Sequence, residues 1–283
     1  MGVFNIKIAF LCLVIVLTAS CSGISYQVVP PSNASITSAS REISSANVSY
    51  HRNSSMLDAR DRVERIFARL KPSARELCRY LAERSTVSCS DWQVAVEDSQ
   101  VFNAYATGAN EIVVSKGIVE QSRYPEEVAF ILAHELSHHM LNHLGETRIN
   151  EFVGSLLGIL LSAAIASVAL EEVDCNPDYE NCDDAYDLAE RIIGTGANAG
   201  AYVAIQKYAV AQESEADMLA AYILSRSNYS LIRARQTLLN IARMGDSTNT
   251  RSSFFDSHPA GPERLAQFDT VIQEVLSNVN RAP

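Results

Sequence analysis

Residues 134–138 spell HELSH, in which two histidines stand four positions apart and a glutamate follows the first. On a helix, positions four apart share one face, so both imidazoles can reach a single metal ion. Pro125, Glu126 and Glu127 suit the start of such a helix, because proline fits the first turn and acidic side chains fit the positive end of the helix dipole. An apolar pattern continues to about Leu144. The sequence therefore predicts a helix that presents a pair of metal ligands.

Glu135 has a different place on the predicted helix from that of the two histidines. At 3.6 residues per turn it lies about 100° round the axis from His134, where it can flank the metal without binding it. A carboxylate in that place can take a proton from a water molecule at a zinc ion. The alternative is a chance occurrence of the string, which its position inside an apolar helical pattern disfavours.

A catalytic zinc ion needs a third protein ligand besides the two histidines, and one open position. Leu141 and Leu144 occupy the positions where the metzincin pattern has glycine and histidine, so the third ligand comes from elsewhere in the chain. The strongest candidate is Glu213, which begins the segment ESEAD in a helical run. Asp217 shares its helix face and can accept a hydrogen bond from a ligand imidazole. The alternative for such an acidic pair is a solvated helix face.

HELSH, followed about 75 residues later by ESEAD, resembles the metallopeptidase family of HtpX and the CAAX prenyl proteases (metallopeptidase family forty-eight). Three further segments match the family. Residues 103–106 and 112–117 resemble its strand pair before the zinc helix, and Asp217 lies in its Ala-Asp helix. Residues 257–259 and Arg264 resemble its late His-Pro...Arg motif. The resemblance extends from Leu57 to Phe268, which is most of the chain.

The resemblance implies an α+β fold, a mainly helical zincin-like (gluzincin) peptidase domain with a small β-sheet or hairpin before the zinc helix. It also implies one Zn²⁺ ion per chain. The metal ligands that it implies are His134, His138 and Glu213, and the general base is Glu135. His258 is implied to stabilise the transition-state oxyanion or to act as a gate near the open zinc position. The alternative for His258 is a surface loop residue.

Arg264 is implied, by the same resemblance, to support the site through Asp217. Its alternative is an ordinary exposed charge on a helix. The two other histidines close to the motif, His139 and His143, are expected to face away from the metal.

Upstream of the zinc helix, the spacing of apolar residues predicts helices and then a small sheet. From Leu57 to about Glu83 apolar residues recur at helical spacing, and Pro72 is expected to begin a second helix. Residues 92–115 alternate and are rich in Val, Ile, Tyr and Phe, with a turn at 108–110. This segment therefore predicts two or three short strands.

Residues 152–170 are the most apolar stretch after the first residues of the chain, with no charged side chain. The length suffices for a membrane span, but a single crossing would separate the two histidines of the motif from Glu213. The segment is therefore expected to be a buried or lid-like helix, or one arm of a membrane hairpin with residues 192–211. Lys207 and many small residues make that second arm a poor span.

The first residues carry an export signal. Lys7 precedes the apolar run IAFLCLVIVLTA, which is short for a membrane span, and small residues and Cys21 follow. Residues 17–21 also resemble the lipobox of bacterial lipoproteins, in which the cysteine is lipidated, although Thr18 stands where that pattern prefers leucine. Simple cleavage or an uncleaved anchor are the alternatives. Ser22 after the cysteine resembles outer-membrane sorting.

These signals divide the chain into three parts. Residues 1–21 are expected to be a signal peptide with a lipobox-like end, residues 22–56 a flexible tether rich in Ser and Asn, and residues 57–283 a zinc metallopeptidase domain. The expected location is the periplasm, with the protein anchored to the outer membrane as a lipoprotein.

Charge and cysteine content narrow the partners. The formal net charge of -10 and the lack of a basic stripe argue against a nucleic-acid partner. Four cysteines follow Cys21, and an even number in an oxidising compartment suggests two disulfides. The pairings local in sequence are Cys78 with Cys89 and Cys175 with Cys182, although the sequence leaves the connectivity open. A cysteine-based metal site is the alternative, but no CxxC spacing is present.

Two functions fit these features. The first is a zinc-dependent metalloendopeptidase that hydrolyses misfolded or unassembled envelope proteins, the substrate class that the resemblance implies, with the substrate extended beside an edge strand around residues 112–115. The second is a chaperone-like or assembly factor that keeps zinc but rarely cuts. The intact Glu135 favours the enzyme, because a binder does not need that carboxylate. The expected partners are protein or peptide substrates and, through Cys21, a membrane.

Overall fold

The computed structural model of the protein describes residues 28–47, 50–83, 89, 91–107, 110–143, 155–156, 158–159, 161–163, 181–246, 258 and 260–277. These residues fall into two compact units. The larger is drawn from residues 24–144 and 210–283, and the smaller from residues 145–209. The candidate site residues from His134 to Arg264 all belong to the larger unit.

The larger unit is mainly helical and contains one small sheet. Its elements in chain order are α1 (Asn33–Ser45), α2 (Met56–Ala82), β1 (Gln93–Glu97), β2 (Ala104–Ala106), β3 (Glu111–Ser115), α3 (Lys116–Gln121), α4 (Pro125–Met140), the last part of α5 (Asn181–Arg226), α6 (Leu231–Asp246) and α7 (Pro262–Ser277). The prediction of a mainly helical domain with a small sheet before the zinc helix is confirmed.

β3 is the central strand of the sheet, whose order is β1-β3-β2. It pairs in parallel with β1, where Gln93 lies opposite Glu111, and antiparallel with β2, where Tyr105 lies opposite Val113. Asn110, just before β3, has φ 61°, a left-handed conformation that asparagine tolerates in tight turns. The strand pair predicted from residues 103–117 is therefore an antiparallel pair, with a third strand on its other side.

The strand order corrects one expectation. Residues 112–115, predicted to form an edge strand that could receive a substrate, belong to β3 and are hydrogen-bonded on both sides. Among the described strands, β1 and β2 form the edges instead. The sequence pattern predicts that β2 and β3 form a hairpin. It does not show that the earlier strand β1 pairs with the other edge of β3.

Gly117 lies at the junction of β3 and α3, where two backbone segments approach closely. Its N–H donates to the carbonyl oxygen of Ser99 at 2.8 Å. A Cβ atom at this position would collide with the carbonyl oxygen of Gln100. Only glycine allows this close approach of the two backbones. The contact holds the end of β3 against the loop that follows β1.

Helix α2 is 27 residues long and continues without a break through Pro72, so the prediction of a second helix beginning there is wrong. A proline inside a helix removes one hydrogen bond and crowds the preceding turn, at a cost of about 3 kcal/mol. The buried side chains of α2 continue on both sides of the proline and include Val63, Phe67, Leu70, Ala74, Leu77 and Leu81. The helix packs against α4 and β1 through this stripe, and the burial outweighs the cost of the proline.

Residues 33–45, expected to belong to a flexible tether, form helix α1 instead. The hydroxyl of Ser32 caps the helix, and Ala39 and Ile43 are buried where α1 packs against α6 and α7. The Ser- and Asn-rich composition of this segment suggested a tether, but its few apolar residues are spaced four apart and suffice to dock one helix face.

An ion pair fixes α1 to the rest of the larger unit. The guanidinium group of Arg235 on α6 donates to both carboxylate oxygens of Glu42, at 2.7 and 2.8 Å. Arg235 also pairs with Asp269 on α7. One arginine therefore connects three helices, and its planar fork suits this role better than a lysine would.

Helix α4 lies within the core of the larger unit. Thirteen of its sixteen residues are buried, and it packs against α2, α6 and the sheet. Phe130 on α4 meets Phe268 of α7 edge to face, with ring centroids 5.3 Å apart. Because interiors are close-packed, a helix enclosed on all sides holds its side chains in defined positions.

Cys78 at the end of α2 and Cys89 before β1 form a disulfide, which confirms the first of the two predicted pairings. The second pairing involves Cys175, which lies outside the described residues. The signal region and Cys21 lie outside them as well.

The smaller unit contains the first part of α5, from Asn181 to Ala209, and short helical stretches between residues 155 and 163. Most of the apolar stretch 152–170 lies outside the described residues. Among the residues that are described, no helix combines the length and the apolarity that a membrane crossing requires.

Candidate metal centre

The start of α4 is fixed by its own side chains. The carboxylate of Glu127 accepts hydrogen bonds from the backbone N–H groups of Arg123 and Tyr124, at 3.1 and 2.9 Å, and Pro125 occupies the first helical position. A glutamate that reaches back in this way satisfies donors that have no partner within the helix. The helix therefore begins where the sequence predicted.

The end of α4 differs from the expectation. The helix stops at Met140 rather than near Leu144, and Asn142 follows with φ 56°. A left-handed asparagine just past the last turn is a common way to terminate a helix. The chain turns there, and His143 lies back against the side of α4 that carries His138.

Helix α5 contributes two carboxylates on the opposite side of the site. Glu213 and Asp217 stand one turn apart and are both buried. Oε2 of Glu213 lies 3.2 Å from Nε2 of His134, and Oδ1 of Asp217 lies 3.0 Å from Nδ1 of the same ring. The imidazole of His134 is thus held between two carboxylates, one at each ring nitrogen.

Four donor atoms converge at one point: Nε2 of His134, Nε2 of His138, a carboxylate oxygen of Glu213 and Nδ1 of His258. The two Nε2 atoms are 3.0 Å apart. Oε1 of Glu213 lies 3.2 Å from Nε2 of His138 and 2.9 Å from Nδ1 of His258. Donor atoms bound at about 2.05 Å to a tetrahedral zinc ion are separated by about 3.3 Å. The spacing of these residues therefore fits one tetrahedral ion.

The charges around this point attract a cation. Burial lowers the pKa of His134, but the carboxylates of Glu213 and Asp217 outweigh burial and raise that pKa to about 9. Burial, together with repulsion by His134, lowers the pKa of His138 well below its usual value. The carboxylate charge therefore favours a cation at this point, and nitrogen and carboxylate donors suit zinc.

Arg264 on α7 supports the acidic side of the site. Its Nε and Nη2 atoms donate to the two carboxylate oxygens of Asp217, at 2.6 and 2.8 Å, and its Nη1 lies 2.7 Å from Oε2 of Glu213. Burial raises the pKa values of both carboxyl groups, but nearby positive charges, Arg264 among them, outweigh burial and lower both. Arg264 is itself buried, which excludes the alternative of an exposed helix charge.

Glu135 lies beside the four donors and faces one of them, His258. Oε1 of Glu135 lies 3.3 Å from Nε2 of His258, while Nδ1 of His258 lies 3.2 Å from Nε2 of His134. Both side chains are buried, so His258 is not a surface loop residue. Glu135 is next to the group of donors without belonging to it.

His143 stays outside the donor group, as expected, but it contacts the outer side of a ligand ring, which the sequence did not predict. Its Nδ1 lies 2.9 Å from Nδ1 of His138, and its Nε2 lies 3.3 Å from Oε2 of Glu215. His139 does point elsewhere, with its Nε2 3.4 Å from the carbonyl oxygen of Glu111. A histidine five positions after the motif, and the middle glutamate of ESEAD, were the available signals for this contact.

Comparison with known proteins agrees with this geometry. The chain matches the model of Peptidase family M48 over residues 68–272, most of its length. The mitochondrial metalloendopeptidase OMA1 of Arabidopsis thaliana is 23% identical over 188 residues, which cover 65% of this chain and 33% of that protein. The chain thus spans about a third of the length of this curated relative. By the extent of the family match, the chain belongs to peptidase family M48, the metallopeptidases that use zinc.

Proposed function

We propose that the protein is a zinc metalloendopeptidase, which hydrolyses internal peptide bonds of polypeptide substrates. The observation that carries the proposal is the convergence of His134, His138 and Glu213 on one point, with Glu135 beside it. Membership of a zinc metallopeptidase family supports it, as does the likeness to a metalloendopeptidase.

In this proposal His134, His138 and Glu213 hold the zinc ion. Zinc, when bound, polarises a carbonyl group and lowers the pKa of a water molecule. Glu135 accepts the proton from the attacking water and returns it to the leaving amine. Its buried carboxylate lies next to the donors and outside their group, a position that suits a base better than a ligand.

Asp217 and Arg264 keep the first histidine in the form that can bind a metal. Oδ1 of Asp217 lies 3.0 Å from Nδ1 of His134, so the proton of the neutral ring is favoured on that nitrogen and the lone pair of Nε2 points to the donor group. Arg264 keeps Asp217 ionised and fixes its orientation through two hydrogen bonds.

We assign His258 the role of a gate. A catalytic zinc site has three protein ligands and one open position. Nδ1 of His258 lies within the donor group, 3.2 Å from Nε2 of His134 and 2.9 Å from Oε1 of Glu213. In that place His258 would block the open position, and a substrate would reach the donors from this side only after the ring had moved away. The gate is favoured over the oxyanion-stabilising role because His258 lies within the donor group.

The substrates that we propose are misfolded or unassembled envelope proteins. An extended peptide can pair with an exposed strand edge through its backbone and so be bound with little sequence preference. Of the two described edge strands, β2 is favoured because it packs against α4, the helix of the catalytic motif.

We also propose that the protein is exported and attached to the outer membrane through a lipid on Cys21. The support is in the sequence: Lys7, the apolar run after it and the lipobox-like residues 17–21. The disulfide between Cys78 and Cys89 is consistent with an oxidising compartment.

Hydrolysis of an unfolded protein such as casein tests the proposed activity. We expect the zinc-loaded protein to cut it, a chelator to stop the reaction and added zinc to restore it. If the zinc-loaded protein binds unfolded chains and leaves them intact, the competing function, a chaperone-like or assembly factor, is supported instead.

A further inference from the structure

Behind His138, a second imidazole and a carboxylate extend away from the donor group. Nδ1 of His143 lies 2.9 Å from Nδ1 of His138, and Nε2 of His143 lies 3.3 Å from Oε2 of Glu215. His143 is 3% exposed and Glu215 is 8% exposed, so both contacts are made between buried side chains. The contact is made at Nδ1 of His138, while Nε2 of the same ring faces the other donors.

A single arrangement of protons satisfies this row of groups when His138 binds a metal. A neutral imidazole that binds a metal through Nε2 carries its proton on Nδ1. That N–H must donate to Nδ1 of His143, which is then an acceptor and has no proton. The proton of His143 therefore resides on Nε2 and is donated to the carboxylate of Glu215. Each ring nitrogen in the row has a defined role.

The two histidines of the motif are thus oriented by different means. His134 contacts a carboxylate directly, through the 3.0 Å approach of Asp217 to its Nδ1. His138 reaches a carboxylate through the intervening ring of His143. In both cases a carboxylate at the end of the contact increases the basicity of the ligand and holds its ring in place.

We propose that His143 and Glu215 are positioning residues of the zinc site, which fix the tautomer and the ring orientation of His138 and so strengthen zinc binding. The inference rests on the proposed function, since it takes His138 as a zinc ligand. Neither residue belongs to the group of four donors, so both act through His138 and not on the ion itself.

The affinity of the full chain for zinc tests this inference without any measurement of activity. Competition with a chromophoric chelator gives the dissociation constant of zinc for the wild type, His143→Ala and His139→Ala. Loss of a residue that orients a metal ligand weakens binding by about 10–100-fold, and we expect this loss for His143→Ala. His139→Ala is the matched control, because His139 is the adjacent histidine and contacts Glu111 instead. It should keep the wild-type affinity.

Two further measurements separate positioning from a general loss of structure. Circular dichroism of the zinc-free proteins shows whether each variant is folded. Glu215→Gln keeps the size of the side chain and removes its charge, so it tests the same row of groups if His143→Ala does not fold. We expect it to weaken zinc binding in the same direction, by a smaller factor. The visible absorption of the cobalt-substituted protein should shift in both variants, because the ligand field of His138 changes.

The possible results are distinct. Wild-type zinc affinity and an unchanged cobalt spectrum in folded His143→Ala and Glu215→Gln would overturn the inference and leave the proposed function intact. A wild-type protein that binds no zinc would overturn the proposed function, and the inference with it. Weaker zinc binding in both variants, but not in His139→Ala, would support the inference.

Discussion

Arg264 on α7 and Asp217 on α5 form a bidentate ion pair, and both side chains are buried. Nε and Nη2 of the guanidinium group lie 2.6 and 2.8 Å from the two carboxylate oxygens. The same carboxylate contacts Nδ1 of His134. The pair therefore links the packing of two helices to the orientation of one ring at the metal centre.

Replacement of Arg264 by alanine should lower the free energy of unfolding by about 3–5 kcal/mol, because Asp217 would remain as a buried charge without its partner. Urea denaturation measures the change. Arg65→Ala is the control, since Arg65 pairs with Asp61 at an exposed position on α2, and its loss should cost at most about 1 kcal/mol. Equal losses in the two variants would contradict the role given to the buried pair.

Replacement of Glu213 by alanine should abolish stoichiometric zinc binding, because it removes the only carboxylate of the donor group. Metal analysis of the purified protein measures the zinc content per chain. Glu190→Ala, at an exposed position on the same helix, should retain the ion. Full zinc content in Glu213→Ala would reject Glu213 as a ligand.

Glu135→Gln should retain zinc and lose the cleavage of casein, because the amide has the shape of the carboxylate but cannot accept the proton of water at neutral pH. Zinc content and turnover are measured on the same preparation. A variant that cuts at the wild-type rate would show that Glu135 is not the base.

The ion pair that docks α1 should weaken in acid. The hydrogen bonds from Arg235 lower the pKa of Glu42 below its ordinary value of 4.5. The carboxylate therefore stabilises the fold above that pH, and the contribution is lost as the pH falls through the lowered pKa. The difference in unfolding free energy between the wild type and Glu42→Gln should be at most about 1 kcal/mol near neutral pH, because the pair is partly exposed. This difference in unfolding free energy should become smaller below pH 4.5. A difference in unfolding free energy that stays the same at all pH values would contradict this account.

Gly117→Ala should destabilise the protein by about 1–3 kcal/mol, because its Cβ atom would overlap a backbone carbonyl group. Gly194 provides the comparison: it lies inside α5 with open space around the added atom, so alanine there should be neutral or stabilising by up to about 1 kcal/mol. Thermal unfolding of the two variants measures both effects. Equal thermal midpoints of the two variants would mean that the backbone at the junction of β3 and α3 can move to accommodate the added Cβ atom.

The parts of the fold that follow local rules could be predicted from the sequence. The start of α4 depends on residues within one turn of Pro125, and the pair of histidines depends on helical spacing. Glu213 was found by the chemistry of an incomplete ligand set. Its distance from the motif in sequence was no obstacle, because the missing ligand could come from any other segment of the chain.

His143 could not be placed in the same way. Five positions after His138 correspond to about 140° on a continuous helix, which points the side chain away from the metal. The helix ends first, and the left-handed Asn142 turns the chain back. An error of four residues in the end of a helix was therefore enough to hide a contact at the metal centre.

The remaining errors arose where tertiary packing overruled composition. α1 has a polar sequence and is ordered by two buried side chains and one ion pair. Pro72 ordinarily marks a helix start, yet α2 continues because its apolar stripe does. The order of strands depends on contacts between distant residues, which no local pattern encodes.

The donors of the metal centre come from three separate segments: α4 carries two, α5 one and the segment before α7 one. They come together only in the folded chain, so zinc binds the native state in preference to the unfolded one. By mass action, free zinc at a hundred times its dissociation constant would add about 2.7 kcal/mol to the stability of the fold. The thermal midpoint of unfolding should therefore rise with the concentration of free zinc. On the proposed function, the chain without zinc would lose activity and would also unfold more easily.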